Sequence, residues 1–177
     1  FPVFNTFVAA ISGLFYSYRI FYYVFFDFKK GKKVLIPSIT FSATAAAVLY
    51  CGLIPVFVDV NQNDLNINLE DLKKKYTKDC VALICVHMGG HLCLMDKIQP
   101  WAKKKKLFLV EDCAETCGAT YKNKKIGNWS DISCFSFEEK KIITTGEGES
   151  TVSEISYDSQ GRVTSASSDN ETKYFSY

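Results

Sequence analysis

The stretch VALICV at 81–86, the segment MDKIQPWAKKK at 95–105 and the stretch LFLVE at 107–111 together decide the fold of this chain. The first and last are short apolar runs of the kind that form buried strands, and the segment between them has the patterning of a helix. A strand, a helix and a second strand in this order predict a right-handed crossover between two parallel strands. The chain is therefore predicted to contain a parallel sheet.

The same alternation continues along the chain on both sides of this unit. Further apolar runs occur at 34–37, 55–60 and 132–137, and further helical patterns at 43–51 and 69–76. Gly52 suits the end of the first of these helices, and Asn68 or Asn66 can cap the second. The predicted fold class is α/β, with a mostly parallel sheet that carries helices on both faces.

The composition indicates a chain with one buried core and no charge bias toward nucleic acid. The chain has 177 residues, of which 47% are hydrophobic, and a formal net charge of +2. Lysine clusters at 73–75 and 103–106 fall on predicted helices whose other face is apolar, so we interpret them as solvated faces. Seven cysteines, an odd number without CxxC spacing, indicate a reducing, cytoplasmic location.

Both ends of the chain differ from the middle. Residues 1–33 are predicted to form an apolar N-terminal helical region. A membrane segment is the less favoured interpretation, because polar residues and Arg19 interrupt the apolar run and no signal-peptide pattern is present. Residues 150–177 are rich in Ser, Thr, Asp, Asn and Glu and are predicted to be a disordered tail.

The residues able to carry chemistry fall at one edge of the predicted sheet. Ligands of such sheets bind outside the C-terminal ends of the strands. The positions that follow the predicted strand ends are 38–44, 87–91, Asp112 and Lys141. We therefore expect the functional site at this edge.

A metal site is one interpretation of the loop after the third apolar run. His87 and His91 lie four residues apart, and the cysteines that would complete a ligand set are Cys93, Cys113 and Cys117. However, the glycines at 89 and 90 break any helix that would bring both imidazoles to one face. We therefore expect no metal.

Two motifs point to a cofactor instead. They are EDCAETCG at 111–118, and SCFSF at 133–137 followed by EEKKIITTGEG at 138–148. They place a carboxylate, Asp112, at the end of one apolar run and a lysine, Lys141, just beyond the end of another. Pyridoxal phosphate requires this pair, because a carboxylate keeps its pyridine nitrogen protonated and a lysine amine forms a Schiff base with its aldehyde.

Four motifs in order resemble the sugar-nucleotide aminotransferases of the DegT/DnrJ/StrS type, which are fold-type-I pyridoxal phosphate enzymes. They are IPSITFSAT at 36–44, PVFVDV at 55–60, VHMGGH at 86–91 and the two stretches quoted above, so the resemblance covers about 34–148. It implies that residues 34–149 are the large cofactor-binding domain of such an enzyme. Family members also carry a smaller C-terminal domain, so this chain is expected to be a fragment.

The resemblance also assigns site residues. Lys141 aligns with the family's Schiff-base lysine, because it lies four positions after FSF and ahead of TTGEG, and Lys140 is the neighbouring alternative. The Lys141 amine would move a proton between the substrate carbon and the C4′ carbon of the cofactor. Asp112 would pair with the pyridine nitrogen. Thr44, at a helix start, and Ser136 would bind the phosphate.

Glu115 departs from the family pattern, which usually has a glutamine that donates to the cofactor's phenolic oxygen. An ionised carboxylate only accepts hydrogen bonds and would face another negative oxygen. We therefore expect Glu115 to be protonated, turned away or harmful to catalysis.

The function implied by the resemblance is transfer of an amino group from an amino acid, usually glutamate, to a nucleotide-linked keto-sugar. Relatives place the active site at a dimer interface, so a homodimer of the full-length form is expected. The runner-up is a non-catalytic or decayed relative that keeps the fold. Sugar-nucleotide dehydratases of this fold usually have histidine in place of the lysine, and Lys141 argues against that class.

Overall fold

Six strands form the main sheet of the protein, which a computed structural model describes over residues 8–10, 28–136, 152–157, 163–168 and 171–174. The strands are β1 (Val8–Ala10), β2 (Lys33–Pro37), β3 (Ile54–Val58), β4 (Cys80–Val86), β5 (Phe108–Asp112) and β8 (Ile132–Phe135), while β6 (Thr120–Tyr121) and β7 (Lys124–Lys125) pair in a separate two-stranded sheet. Their order across the sheet is β1-β8-β5-β4-β2-β3, and each neighbouring pair is parallel. The predicted α/β class with a mostly parallel sheet is confirmed.

Helices cover both faces of this sheet, as predicted. They are α1 (Ser42–Tyr50), α2 (Leu69–Lys75) and α3 (Met95–Lys105). Successive side chains of a strand point to opposite faces. Val34 and Ile36 of β2 therefore pack in one apolar core with Val48 of α1, whereas Leu35 packs in a second core with Ile98 of α3. Because both faces are buried at β2, β4, β5 and β8, these strands read as continuous apolar runs in the sequence.

Local signals set the helix ends. Asn68 caps α2, because its side-chain oxygen accepts hydrogen bonds from the amides of Glu70 and Asp71, both at 3.0 Å. The other predicted cap, Asn66, does not serve α2. Helix α1 ends just before Gly52, whose φ of +71° lies in the left-handed region that glycine adopts without strain.

The N-terminal segment differs from its prediction. Residues 8–10, within the predicted helical region, form strand β1, which pairs with β8. An apolar run alone does not distinguish a buried strand from a helix, which explains the error. Residues 1–7 and 11–27 lie outside the described residues. Among the residues that are described, no helix has the length and apolar character needed to cross a membrane.

The C-terminal segment 150–177, predicted to be disordered, contains a three-stranded antiparallel sheet. Its strands are β9 (Val152–Tyr157), β10 (Val163–Ser168) and β11 (Glu171–Tyr174). The scarcity of aliphatic residues led to the prediction of disorder. However, the Val, Ile, Thr and Tyr residues in this segment favour strands. For these strands the prediction is corrected.

The Asn68 cap can be tested by substitution. Asn68→Ala removes the acceptor of two amide hydrogen bonds, so we expect the free energy of unfolding to fall by about 1 kcal/mol. Urea denaturation measures the change. Gln62→Ala, at an exposed position in the preceding turn, is the control and should leave stability unchanged. Equal losses in the two variants would contradict the capping role.

Candidate active site

Three neighbouring strands end together at one edge of the sheet. Val86 of β4 pairs with Asp112 of β5, and Asp112 pairs with Cys134 of β8. The loop after β4, Asp112 and Ser136 therefore follow one another along this edge, with adjacent strands about 4.8 Å apart. This is the C-terminal edge of the sheet, at which the sequence analysis expects the site. Lys141 lies outside the described residues.

Asp112 is half-buried at the end of β5. Its Oδ1 accepts a hydrogen bond from the Ala114 amide at 3.0 Å, and its main-chain carbonyl accepts one from the His87 amide at 3.2 Å. The next amide, that of Cys113, donates to the Cys134 carbonyl at 2.7 Å. The carboxylate is thus held at a strand end by the turn that follows it, where it can accept a hydrogen bond from a cationic group of a ligand.

Thr44 lies in the first turn of α1, as predicted, but only 3% of it is exposed, and its hydroxyl lies 2.9 Å from that of Thr40. The N-cap residue Phe41 makes no side-chain cap, and the first turn holds no acidic residue. The amide groups at such a helix start attract anions. Ser136, half-buried, follows β8 on the other side of β5, so the structure places the two hydroxyl residues at the same edge without joining them.

Glu115 is exposed, and its Oε2 accepts a hydrogen bond from the Gly89 amide at 2.7 Å. This bond joins the turn after β5 to the short 3-10 turn Met88–Gly90 after β4, in which Gly89 has a φ of +60°. An ionised carboxylate accepts such a bond, so Glu115 needs no proton to be accommodated here.

Asn66 holds the same 3-10 turn from a third segment. It is 2% exposed, and its side chain accepts from the Met88 amide at 3.2 Å and donates to the His91 carbonyl at 3.1 Å. Both functional groups of this buried amide are therefore satisfied by the loop after β4.

Glu111, the residue before Asp112, is a functional-site candidate that the sequence analysis missed. It is 0% exposed. Its two oxygens accept hydrogen bonds from His87 Nε2 at 3.3 Å, the Gly127 amide at 3.0 Å, the Trp129 amide at 2.9 Å and Ser130 Oγ at 2.9 Å. Burying a carboxylate is costly unless donors compensate it. The signal in the sequence is a charged residue at the end of a buried apolar run, because a buried carboxylate needs hydrogen-bond donors.

His87 is also fully buried. The Cys93 amide donates to His87 Nδ1 at 3.1 Å, so the ring proton sits on Nε2 and is donated to Glu111. Burial lowers the pKa of His87, whereas side-chain hydrogen bonds with Cys93 and Glu111 raise it. Protonation of Nδ1 would break the bond from the Cys93 amide, so the hydrogen-bond geometry favours the neutral ring.

The side chains of His87, Glu111 and Cys113 have their ligand atoms within 4.8 Å of one another, which raises the question of a metal. Both nitrogens of His87 and both oxygens of Glu111 are already engaged in hydrogen bonds. Burial raises the pKa of the Cys113 thiol and so disfavours the thiolate that binds metals. His91, in contrast to His87, is exposed. We assign this cluster to hydrogen bonding.

Comparison with known proteins links these features to one family. A profile described as the DegT/DnrJ/EryC1/StrS aminotransferase family matches residues 10–154. GDP-perosamine synthase of Escherichia coli O157:H7 is 43% identical over 119 residues, which make up 67% of this chain and 33% of that protein. The chain thus spans about a third of the length of this relative.

Solved structures share the fold. The aminotransferase from Psychrobacter cryohalolentis has a TM-score of 0.69 at 35% identity, covering 73% of this chain and 33% of that one. The E. coli GDP-4-keto-6-deoxy-D-mannose-3-dehydratase with bound hydrated PLP has a TM-score of 0.62 at 31% identity, covering 67% of this chain and 32% of that one.

Gly127 provides a test of the loop that approaches Glu111. It has a φ of +94°, and a Cβ atom there would lie 2.7 Å from Phe135 Cζ. We expect Gly127→Ala to lower the free energy of unfolding by about 2 kcal/mol or more, through backbone strain and overlap. Gly118→Ala is the matched control, because its φ is +84° with nothing within 4 Å. If urea denaturation shows equal losses, Gly127 is not closely packed on Phe135.

The Glu115 bond can be tested with two variants. Glu115→Gln keeps an oxygen that accepts from the Gly89 amide, whereas Glu115→Leu removes it. We expect solvent exchange of the Gly89 amide hydrogen, measured by NMR, to stay near the parent rate in the first variant. In the second it should quicken on the order of 5-fold, the effect of losing one ordinary hydrogen bond. The same rate in both variants would rule out the contact.

Proposed function

We propose that this chain, which belongs to the DegT/DnrJ/EryC1/StrS aminotransferase family, forms the large-domain part of an enzyme that transfers an amino group to a nucleotide-linked keto-sugar. The family is pyridoxal-phosphate dependent, and a related structure holds this cofactor. The GDP-perosamine synthase among the relatives is named for a GDP-linked sugar. These similarities support a nucleotide-linked sugar as the substrate class.

The observation that carries the proposal is the position of Asp112 at the C-terminal end of β5, between the ends of β4 and β8. The donor set at this edge fits the cofactor, because it combines a held carboxylate, hydroxyl groups and an uncapped helix start. When bound, pyridoxal phosphate supplies an electron sink for a carbanion at the substrate carbon.

Each residue at the edge has a role in the proposal. Asp112 would accept a hydrogen bond from the pyridine N–H and keep that nitrogen protonated. The amides at the start of α1, with the hydroxyls of Thr44 and Ser136, would bind the phosphate. Lys141 would bind the aldehyde; once a substrate amine displaces it, its Nζ would accept a proton from the substrate carbon and donate it to the C4′ carbon of the cofactor.

Three further expectations belong to the proposal. Glutamate is the expected amino donor, and a homodimer is expected for the full-length form, both by resemblance to the family. A cytoplasmic location is expected from the seven cysteines, an odd number without CxxC spacing, which is typical of a reducing compartment.

A decayed relative that keeps the fold without catalysis is the second candidate. Glu115 in place of the expected glutamine favours it, because a negative side chain would face the phenolic oxygen. The hydrogen bond from the Gly89 amide to Glu115 at 2.7 Å weakens this argument for a decayed relative, since it gives the carboxylate a donor other than the cofactor.

Lys141 provides the direct test of cofactor binding. Mixed with pyridoxal phosphate, the parent chain should develop an absorption band at longer wavelength than the free cofactor, because a lysine amine captures the aldehyde. Lys141→Ala should lose the band, and Lys140→Ala, the matched control, should keep it. Borohydride reduction and peptide mapping identify the lysine. Label on Lys140, or on no lysine, would contradict the assignment.

Catalysis is tested separately. The full-length form, loaded with cofactor, is given glutamate and GDP- or UDP-linked keto-sugars, and mass spectrometry follows the amino sugar. Formation of a nucleotide-linked amino sugar supports the proposed enzyme. Cofactor binding without any amino sugar favours the decayed relative.

A further inference from the structure

We infer that Glu111 is a positioning residue for the cofactor site: it holds the loop after β4 and the loop before β8 on either side of Asp112. The inference rests on the proposed function, because Glu111 can affect cofactor binding only if the neighbouring Asp112 binds the cofactor. Glu111 is 0% exposed, so it acts through the segments it binds rather than on a ligand.

The carboxylate reaches the loop after β4 through His87. The His87 ring donates from Nε2 to Glu111 at 3.3 Å and accepts the Cys93 amide at Nδ1 at 3.1 Å, so the ring ties both ends of 87–93 to β5. The same loop carries Gly89, whose amide donates to Glu115 at 2.7 Å. The turn after β5 is therefore attached to a loop that Glu111 itself holds.

The carboxylate reaches the β8 side through the loop at 126–130. The amides of Gly127 and Trp129 donate to it at 3.0 and 2.9 Å, and Ser130 Oγ lies 2.9 Å from it. Ser133 of β8 then donates to the Gly127 carbonyl at 2.5 Å, which joins this loop to the strand. Strand β8 ends just before Ser136, so the placement of the proposed phosphate-binding hydroxyl depends on this connection.

These donors share Glu111 as their acceptor. The Gly127 and Trp129 amides and His87 Nε2 are aimed at one side chain, and a buried donor that loses its acceptor is costly. Glu111→Gln would keep the shape and the volume of the side chain but would direct its own N–H groups at donors. The loops would then have to shift, and Asp112 with them.

The experiment compares three forms of the full chain. Glu111→Gln removes the charge and two acceptor positions. Val110→Ala is the matched control, because Val110 is the preceding β5 residue, is 0% exposed and packs in an apolar core. Two readouts are taken at a temperature at which all three are folded: amide hydrogen exchange without cofactor, and the affinity and visible circular dichroism of added pyridoxal phosphate.

We expect Glu111→Gln to speed exchange selectively at Gly127, Trp129 and Cys93, and to weaken cofactor binding by roughly 10-fold or more, the effect of buried donors left unpaired. The dichroism of the bound cofactor should change as well. Val110→Ala should leave affinity and dichroism near those of the parent.

The outcomes separate this inference from the proposed function. If the parent binds cofactor and Glu111→Gln binds it equally well with the same dichroism, the positioning role is overturned and the proposed function stands. The role is also overturned if Val110→Ala weakens binding as much as Glu111→Gln. If the parent binds no cofactor, the proposed function fails, and the exchange readout alone decides whether Glu111 holds the two loops.

Discussion

The buried carboxylate of Glu111 is the constraint on which the rest of the site depends. A negative charge inside the sheet is tolerated only where several donors converge on it. The chain meets this requirement by bringing the loop after β4 and the loop before β8 onto the same two oxygens. Because Asp112 is the next residue of β5, the hydrogen bonds that make the buried charge tolerable also set the position of the carboxylate proposed to bind the cofactor. The same hydrogen bonds thus stabilise the fold and fix the position of Asp112.

Much of the fold could be predicted because strands β2, β4, β5 and β8 are buried on both faces. Leu35 and Ile36 are adjacent in β2 yet belong to different cores, so β2 reads as one apolar run. Helix α3 was predicted over 95–105 and is observed at Met95–Lys105, because an amphipathic period persists over its length. Strand β1 could not be predicted, since three apolar residues have no period of their own and pair with β8, which is distant in sequence. Strands β9–β11 differ from the predicted disorder, because the polar composition of this segment outweighs the β propensity of its Val, Ile, Thr and Tyr residues in the sequence.

The candidate site also combines features that the sequence predicts with features that it does not. The placement of Asp112 and of the start of α1 at one edge of the sheet follows from strand order and could be read from the pattern. Single hydrogen bonds could not, because they depend on loops meeting in space. The Gly89 amide donates to Glu115. The side-chain oxygens of Asn66 and Glu111 likewise accept hydrogen bonds from loops that are distant from them in the sequence. Lys141, which the motif assigns most directly, lies outside the described residues, and its role stays a prediction.

The central claim is that the C-terminal end of β5 binds pyridoxal phosphate through the Asp112 carboxylate. The most direct measurement is the nitrogen-15 NMR signal of the pyridine ring of labelled cofactor bound to the parent chain and to Asp112→Asn. We expect a protonated pyridine nitrogen in the parent and an unprotonated one in the variant, because the neutral amide no longer compensates the positive charge. An unprotonated nitrogen in the parent, or the same protonation state in both proteins, would contradict it.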